Sequence, residues 1–166
     1  MTDAPMNAGP PRRIRVGDVA LNVRVAGEGE PVLLLHGFPD SSNVWREVTP
    51  QLVAAGYRVI AFDQRGFGES DAPADGGNEL VPRQPDKHVV RYLAALPCTD
   101  PLGMWSSGDR YLTEAQMQAS GRLVDAAWEY RRIDNRGHWI SLQRPDAVAS
   151  AALDWFGRHP LAPAAG

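Results

Sequence analysis

The chain of 166 residues is long enough for one domain with a hydrophobic core and too short for two domains of ordinary size. Hydrophobic residues make up 43% of it and charged residues 22%, which is the balance of a globular protein and argues against a disordered or fibrous chain. The net charge of -3 and the pI of about 5.8 give no reason to expect nucleic acid or an anionic membrane as a partner.

The cysteine content and the two ends of the chain bear on its location. Cys98 is the single cysteine and cannot form a disulfide within the chain, so we expect a cytoplasmic location. No apolar run reaches the roughly 18 residues of a membrane span, and the amino terminus lacks the apolar segment of a signal peptide. Residues 1–11 and 160–166 are predicted to be flexible tails of a single domain that covers residues 12–159.

Four short strands are predicted in the first half of the chain. Residues on either side of the turn dipeptide Gly17-Asp18 alternate imperfectly between apolar and polar, which predicts an antiparallel hairpin of Ile14–Val16 and Ala20–Val25. Val32–Leu35 and Arg58–Phe62 are short, largely apolar runs that stop at polar loop residues. Runs of this kind are typical of buried strands.

An amphipathic helix is predicted between the last two of these strands. Trp45, Val48, Leu52 and Val53 recur at helical spacing, and Gly56 lies where a left-handed, helix-ending residue is expected. Buried strands joined by such a helix are expected to be parallel, with their carboxyl ends at the same edge of the sheet. That edge is where folds of this class hold their reactive residues.

Helices and strands also alternate in the second half of the chain. Residues 72–87 are rich in proline and glycine and are predicted to be an internal linker. The predicted elements after it are a helix at His88–Leu96, a strand at Leu102–Trp105, a helix at Glu114–Val124 capped by Thr113, a strand at Trp128–Ile133 and a helix at Pro145–Phe156.

Asp109 and His138 each follow one of the two later strands. An acid after one strand and a histidine after the next is the chain order of the acid and base of a catalytic triad on a sheet edge. Their separation is 138 minus 109, or 29 residues, which leaves room for one helix and one strand. In this interpretation His138 is a general base and Asp109 holds its tautomer. The structural alternative is a surface-turn aspartate and an unrelated loop histidine.

Four motifs lie in the loops that follow predicted strands. They are His36-Gly-Phe-Pro, Asp63-Gln-Arg-Gly-Phe-Gly-Glu-Ser-Asp, Trp105-Ser-Ser-Gly-Asp109 and Gly137-His138-Trp139. In this order they resemble the α/β-hydrolase fold family, and most of all its epoxide hydrolase and haloalkane dehalogenase branch. The resemblance implies a truncated α/β-hydrolase-like fold: a mostly parallel sheet flanked by helices, with the antiparallel hairpin at its amino terminus. It also implies that Asp109 is the triad acid, His138 the base, and the backbone N–H of Phe38 a donor to an oxyanion or halide.

The sequence departs from that family at the nucleophile. Such enzymes carry the nucleophile on a sharp turn from strand to helix between small residues, and this chain has no such stretch. Ser70 follows a loop rather than a strand, Asp75 has neither strand nor helix beside it, and Cys98 lacks small flanking residues. The nucleophile is therefore unknown. The substrate-binding cap of the family is also missing, because only the linker and one short helix occupy its place.

Three functional hypotheses remain open at this point. The first is an epoxide hydrolase-like enzyme that acts on a small-molecule substrate. The second is a catalytically inactive remnant or a partner-binding α/β domain, and the third is an active unit completed by another chain. Missing strands leave apolar sheet edges, so we expect self-association through exposed edges. If the chain folds alone, strand Arg58–Phe62 is expected to pair with Leu102–Trp105.

Three polar residues near the strand ends are predicted to have structural roles. His36 is expected to bond the neighbouring loop, and Asp63 and Arg65 are expected to form a loop-fixing pair. No group of His, Cys, Asp and Glu has metal-ligand spacing, and Gly66-Phe-Gly68 lacks the third glycine and the helix of a phosphate site. The sequence therefore predicts neither a metal nor a cofactor.

Overall fold

The computed structural model describes residues 9–37, 39–72, 102–123 and 127–159. The chain forms two compact units, residues 1–86 and 87–166. The boundary between them falls at the end of the predicted linker, residues 72–87. The prediction of a single domain over residues 12–159 stays a prediction.

The first unit contains a four-stranded sheet. Its strands are β1 (Arg12–Val16), β2 (Val19–Ala26), β3 (Glu30–Leu35) and β4 (Tyr57–Phe62). Their order across the sheet is β1-β2-β4-β3. The pairs β1/β2 and β2/β4 are antiparallel, whereas β3 and β4 are parallel, so the predicted hairpin and the predicted parallel pair are both confirmed.

The position of β4 corrects one expectation. We expected this strand to need a new neighbour and to pair with the strand near residue 102. Instead, both of its edges are occupied, by β2 on one side and β3 on the other. Among the described residues, β3 is an edge strand, because it is the last strand in the order of this sheet.

Two short helical segments replace the single helix predicted between β3 and β4. A 3-10 turn spans Ser42–Trp45 and α1 spans Thr49–Ala54, with a proline in the first turn of α1. Proline has no N–H to donate to the preceding turn, so it favours the start of a new helix over the continuation of an old one. Gly56, with φ at 90°, ends the segment as predicted.

The core of the first unit lies between α1 and one face of the sheet. Val48 and Leu52 are buried on the helical side, and Val59 and Ala61 of β4 are buried beneath them. Val48 and Leu52 are one helical turn apart, and Val59 and Ala61 are alternate residues of β4, so each pair faces the same side. They fix β4, and with it the loop that follows β4.

The second unit is built on a two-stranded parallel sheet. Its elements are β5 (Leu102–Ser106), α2 (Glu114–Ser120), a 3-10 turn (Gly121–Leu123), β6 (Glu129–Ile133), α3 (Ile140–Gln143) and α4 (Pro145–Arg158). The capping box of Thr113 and Gln116 at the start of α2 is present as predicted. The short helix α3 was not predicted from the sequence.

The register of β5 and β6 determines where their loops lie. Trp105 pairs with Arg132 and Ser106 with Ile133, so the two parallel strands end side by side. The loops that begin at Ser107 and after Ile133 therefore leave the same edge of this sheet. That geometry places the two predicted reactive residues in neighbouring loops.

The described residues contain neither a membrane-spanning helix nor a cluster of metal ligands. The helices in the ranges given above are all too short or too polar to cross a bilayer. Within the same ranges, no group of three or more His, Cys, Asp and Glu side chains is arranged to hold a metal ion. The predicted helix at His88–Leu96 and the two tails, apart from residues 9–11, lie outside the described residues.

Candidate active site

The loop after β4 is built around a buried carboxylate, that of Asp63, which is 2% exposed. Its Oδ2 accepts hydrogen bonds from Asn22 Nδ2 and from the Glu69 N–H, each at 2.9 Å. Its Oδ1 accepts from the Ser42 N–H at 2.7 Å. Burial works against the charged form, but these hydrogen bonds outweigh it and hold the pKa of Asp63 below its ordinary value. Both oxygens are therefore engaged in holding loops together.

His36, at the end of β3, is buried and bonded through both ring nitrogens. Its Nε2 accepts from the backbone N–H of Gln64 at 2.8 Å, so the ring proton is on Nδ1, which lies 3.0 Å from the carbonyl oxygen of Gly37. The side-chain amide of Gln64 donates to the carbonyl oxygen of His36. The prediction that His36 bonds the neighbouring loop is confirmed.

Ser70 and Arg65 also have structural roles in this loop. The Ser70 hydroxyl donates to the carbonyl oxygen of Asp63 at 2.6 Å and accepts from the Asn22 N–H at 2.8 Å, so it closes the loop. Arg65 binds Asp18 at 2.7 Å. Asp63 and Arg65 therefore do fix this loop as predicted, but they do not pair with each other, because other donors already occupy the Asp63 carboxylate.

The loops after β5 and β6 bring Asp109 and His138 together. His138 Nδ1 lies 2.9 Å from Asp109 Oδ2. An ionised carboxylate can only accept, so the proton of this bond is on Nδ1 and Nε2 keeps its lone pair. Among the residues that the structure describes, this is the only hydrogen bond of the imidazole, and the His138 side chain is 29% exposed. The imidazole can therefore take a proton at Nε2, although its catalytic use stays a prediction.

The second oxygen of Asp109 is held by the backbone. Oδ1 accepts from the N–H groups of Tyr111 at 2.8 Å and Leu112 at 3.0 Å. Burial opposes ionisation, but the hydrogen bonds from His138 and the two amides outweigh it and hold the pKa of Asp109 below its ordinary value. The carboxylate therefore stays negative near neutral pH and can stabilise a charged imidazole.

Small residues that sequence reasoning missed brace the two loops against each other. The Ser106 hydroxyl donates to the carbonyl oxygen of Arg136, and the Asn135 N–H donates to Ser107 Oγ at 2.8 Å. A Cβ at Gly108 would lie 2.3 Å from the Arg136 carbonyl oxygen, so only glycine permits this approach. The available signal was the Ser-Ser-Gly run directly before the predicted acid.

Two aromatic rings flank His138, and the sequence assigned no role to either. The Tyr111 ring lies 5.3 Å from the imidazole and the Trp139 ring 5.2 Å, measured between ring centroids. Both contacts are edge-to-face, with interplanar angles of 73° and 90°. The imidazole is therefore held by ring contacts as well as by its bond to Asp109.

Three predicted or considered residues lie outside the described part of the chain. They are Phe38, whose N–H was expected to bind an oxyanion, and Asp75 and Cys98, which were considered as nucleophiles. The loops around His36 and Asp63 belong to the first unit, whereas Asp109 and His138 belong to the second.

Comparison with known proteins identifies the fold. The model of the α/β-hydrolase fold family matches residues 30–104. The crystal structure of a predicted CIB-like hydrolase from Thermoplasma acidophilum superimposes with a TM-score of 0.67 at 15% identity, covering 89% of this chain and 97% of that one. This chain has the α/β-hydrolase fold.

Over part of its length, the sequence is also similar to an epoxide hydrolase and to a dehalogenase. An epoxide hydrolase of Caballeronia sordidicola is 48% identical over 62 residues, which are 37% of this α/β-hydrolase-fold chain and 19% of that protein. A fluoroacetate dehalogenase of a Burkholderia species is 47% identical over 142 residues, or 86% of this chain and 39% of that protein. The chain thus spans between a fifth and two fifths of the length of these two relatives.

Proposed function

We propose that this chain carries the acid and the base of an epoxide hydrolase-like hydrolase that acts on a small-molecule substrate. The observation that supports it is the 2.9 Å bond between His138 Nδ1 and Asp109 Oδ2, which leaves Nε2 with a lone pair. The similarity to epoxide hydrolases and to a dehalogenase supports hydrolysis as the reaction class. The pair supplies the two groups that activate water in such a reaction.

In this proposal His138 acts on water after an ester intermediate has formed. Nε2 takes a proton from water while the water oxygen attacks the ester carbon, and Asp109 stabilises the imidazolium that results. The imidazolium returns the proton as the ester C–O bond breaks, so that the nucleophile and the alcohol product are released. Asp109 keeps its charge throughout, because its role is to orient and stabilise the base.

The nucleophile that forms this ester is proposed to lie outside the described residues. Ser70 is unsuited because its hydroxyl is bonded on both sides, and Asp63 because both of its oxygens are engaged. The remaining sources are the rest of this chain, a longer protein of which the sequence is a part, or a second chain. The trapping experiment below distinguishes the first of these from the others.

Turnover of an aryl ester and of a styrene oxide-type epoxide tests the role of the base. His138→Ala is expected to lower kcat/KM by roughly 10²- to 10⁴-fold, the usual contribution of a general base. His159→Ala is the matched control, since His159 stacks on Trp155 rather than bonding Asp109. Equal turnover by the wild-type chain and His138→Ala would rule out His138 as the base.

Trapping tests for the nucleophile itself. If an ester forms on this chain and His138 is needed to cleave it, His138→Gln incubated with the epoxide should gain the mass of one substrate molecule. Peptide mapping then identifies the residue that carries it. An unmodified mass together with lost turnover would place the nucleophile elsewhere or indicate direct attack by water.

The second candidate function, a catalytically inactive remnant or partner-binding α/β domain, is supported by the exposed edge of the first sheet. Leu33 and Leu35 of β3 are 45% and 40% exposed, and they lie at alternate positions on one face of an edge strand. Apolar edges of this kind pair with other strands. We infer that β3 pairs with β3 of a second copy, in the cytoplasm that the single cysteine suggests. Absence of turnover on both substrates would favour this function.

A further inference from the structure

Tyr111 occupies a rigid turn directly after the acid. Its N–H donates to Asp109 Oδ1 at 2.8 Å, and the next N–H, that of Leu112, donates to the same oxygen. The Leu112 carbonyl in turn accepts from the indole N–H of buried Trp105 at 2.9 Å. The backbone that carries the Tyr111 side chain is therefore fixed on both sides.

The ring of Tyr111 reaches the base from this turn. It contacts the imidazole of His138 edge-to-face, and its centroid also lies 6.0 Å from that of Trp139 at an interplanar angle of 77°. Trp139 contacts the imidazole as well. The three rings are thus in mutual contact, each pair within the 4.5 to roughly 7 Å range of favourable aromatic pairs.

Burial does not account for the position of this tyrosine. Tyr111 is 70% exposed, which is the largest value among the exposed large hydrophobic residues of the described chain. An aromatic ring that is mostly in water gains little from the hydrophobic effect. Among the described residues, the ring contacts of Tyr111 are those with His138 and Trp139.

A single hydrogen bond leaves the base one important freedom. The bond from His138 Nδ1 to Asp109 fixes one edge of the imidazole, but the ring can still tilt about that bond and swing Nε2 away from the reacting group. Rings against the imidazole restrict this tilt. Misplacement of a catalytic group lowers the rate even where the group itself is retained.

We propose that Tyr111 is a positioning residue of the acid–base pair: its N–H orients Asp109 and its ring orients His138. The expected effect on kcat rests on the proposed function, whereas the expected orientation of the His138 ring does not. Tyr111→Leu keeps the N–H and an apolar side chain but removes the ring. Tyr111→Phe keeps both the N–H and the ring, and so is the matched control.

Nitrogen-15 spectra of labelled histidine test the structural part without any need for turnover. At about pH 8, where an ordinary histidine is neutral, His138 should have its proton on Nδ1 in the wild-type chain and in Tyr111→Phe. In Tyr111→Leu the proton should stay on Nδ1, because the bond to Asp109 is retained, but the order parameters of the His138 ring C–H bonds, measured on histidine that also carries carbon-13, should fall because the ring tilts more freely. His138→Gln identifies the signals. Unchanged ring order parameters in Tyr111→Leu would overturn the proposal, also where the variant has a lower Tm.

Kinetics then test the consequence for the reaction. Where the wild-type chain turns over substrate, Tyr111→Leu should lower kcat by roughly three- to tenfold, the range expected for one aromatic contact, and Tyr111→Phe should leave it unchanged. KM should stay the same, because the ring acts through His138. A change in KM alone would overturn the positioning role in favour of direct substrate contact. A wild-type chain without turnover would contradict a nucleophile within this chain and favour the second candidate function, while the spectra would still decide the role of Tyr111.

Discussion

Two loop sites of this chain each place a histidine and an aspartate beyond the ends of parallel strands, and they use these residues in opposite ways. In the first unit, His36 and Asp63 are bonded through every ring nitrogen and carboxylate oxygen. In the second, Asp109 is equally engaged, but His138 Nε2 has no bond to any described residue. Residue type and strand position are the same in both. What distinguishes the structural site from the candidate reactive one is a single polar atom, His138 Nε2, that has no hydrogen-bond partner among the described residues.

The strongest test of this comparison replaces each aspartate by asparagine. In the wild-type chain, backbone N–H groups donate to both oxygens of Asp63. Asp63→Asn replaces one of these oxygens by an NH₂ group, so one backbone N–H loses its acceptor. We therefore expect the free energy of unfolding of the first unit to fall by about 3 kcal/mol. Asp109→Asn can still accept from the two amides, so its loss should be under about 1 kcal/mol. Urea unfolding and hydrogen exchange at the Ser42 and Glu69 amides measure the difference.

For catalytic activity, we expect Asp109→Asn to have the larger effect and Asp63→Asn the smaller one. Asp109→Asn favours the wrong tautomer of His138 and is expected to lower any turnover by up to about 10⁴-fold. Asp63→Asn should lower it only in proportion to the fraction unfolded. Similar stability losses in the two variants would show that the two sites do not differ as described.

A second test uses two glycines with positive φ. Gly68, with φ at 52°, would place a Cβ 2.4 Å from Asp63 Oδ2, whereas Gly17, with φ at 62°, has no atom within 4 Å of an added Cβ. Gly17→Ala should therefore cost only the backbone strain of about 1 to 2 kcal/mol. Gly68→Ala should cost about 1 kcal/mol more, because the carboxylate must move. Thermal unfolding compares the two variants. Equal losses of stability would mean that the Asp63 carboxylate can move away from an added Cβ at no cost.

Much of this architecture follows from the sequence for a definite reason. The strands at β1 to β6 and the cap of α2 are specified by local patterns of apolar residues, turn dipeptides and capping side chains, which do not depend on distant contacts. The split helix before β4 was readable from Pro50. By contrast, the position of β4 between β2 and β3 depends on pairing between distant segments, which a local pattern does not encode.

The candidate site divides in the same way. Asp109 and His138 could be placed together because strand-end loops of a parallel pair share one edge. The bracing by Ser107 and Asn135 and the ring of Tyr111 could not, because they depend on how the two loops approach each other in space. The pairing of Arg65 with Asp18 was missed for the same reason, since Asp18 lies in the distant hairpin turn.

The two edges of the first sheet extend the comparison to association. Leu33 on β3 and Ile14 on β1 are both 45% exposed. Strand β1 carries Arg12, Arg13 and Arg15, and pairing of β1 with β1 of a second copy would bring these positive charges together. Strand β3 carries no basic residue. Leu33→Lys should therefore raise the Kd of self-association at least about tenfold, and Ile14→Lys should not. Sedimentation of the wild-type chain as a monomer at all concentrations would contradict the inferred pairing.

The smallest expected effect is the dependence of stability on pH. The folded-state pKa of Asp63 lies below its ordinary value of 3.8, so its charged form contributes stability that is fully present above that value. This contribution is lost as the pH falls through the lower, folded-state pKa. The difference in unfolding free energy between the wild-type chain and Asp63→Asn should therefore shrink as the solution is acidified below about pH 4. A difference that stays constant would show that the charge of Asp63 is not what holds the loop.

The parallel pairing of β5 with β6 has a consequence for engineering. The acid, the base and the side chains that brace them are all contributed by residues 102–159. They therefore lie within one compact unit, residues 87–166, and are encoded by one contiguous stretch of sequence. A designer who wants to preserve the pair should keep residues 102–159 as one block, because substitutions in that block change the contacts of Asp109 and His138 directly.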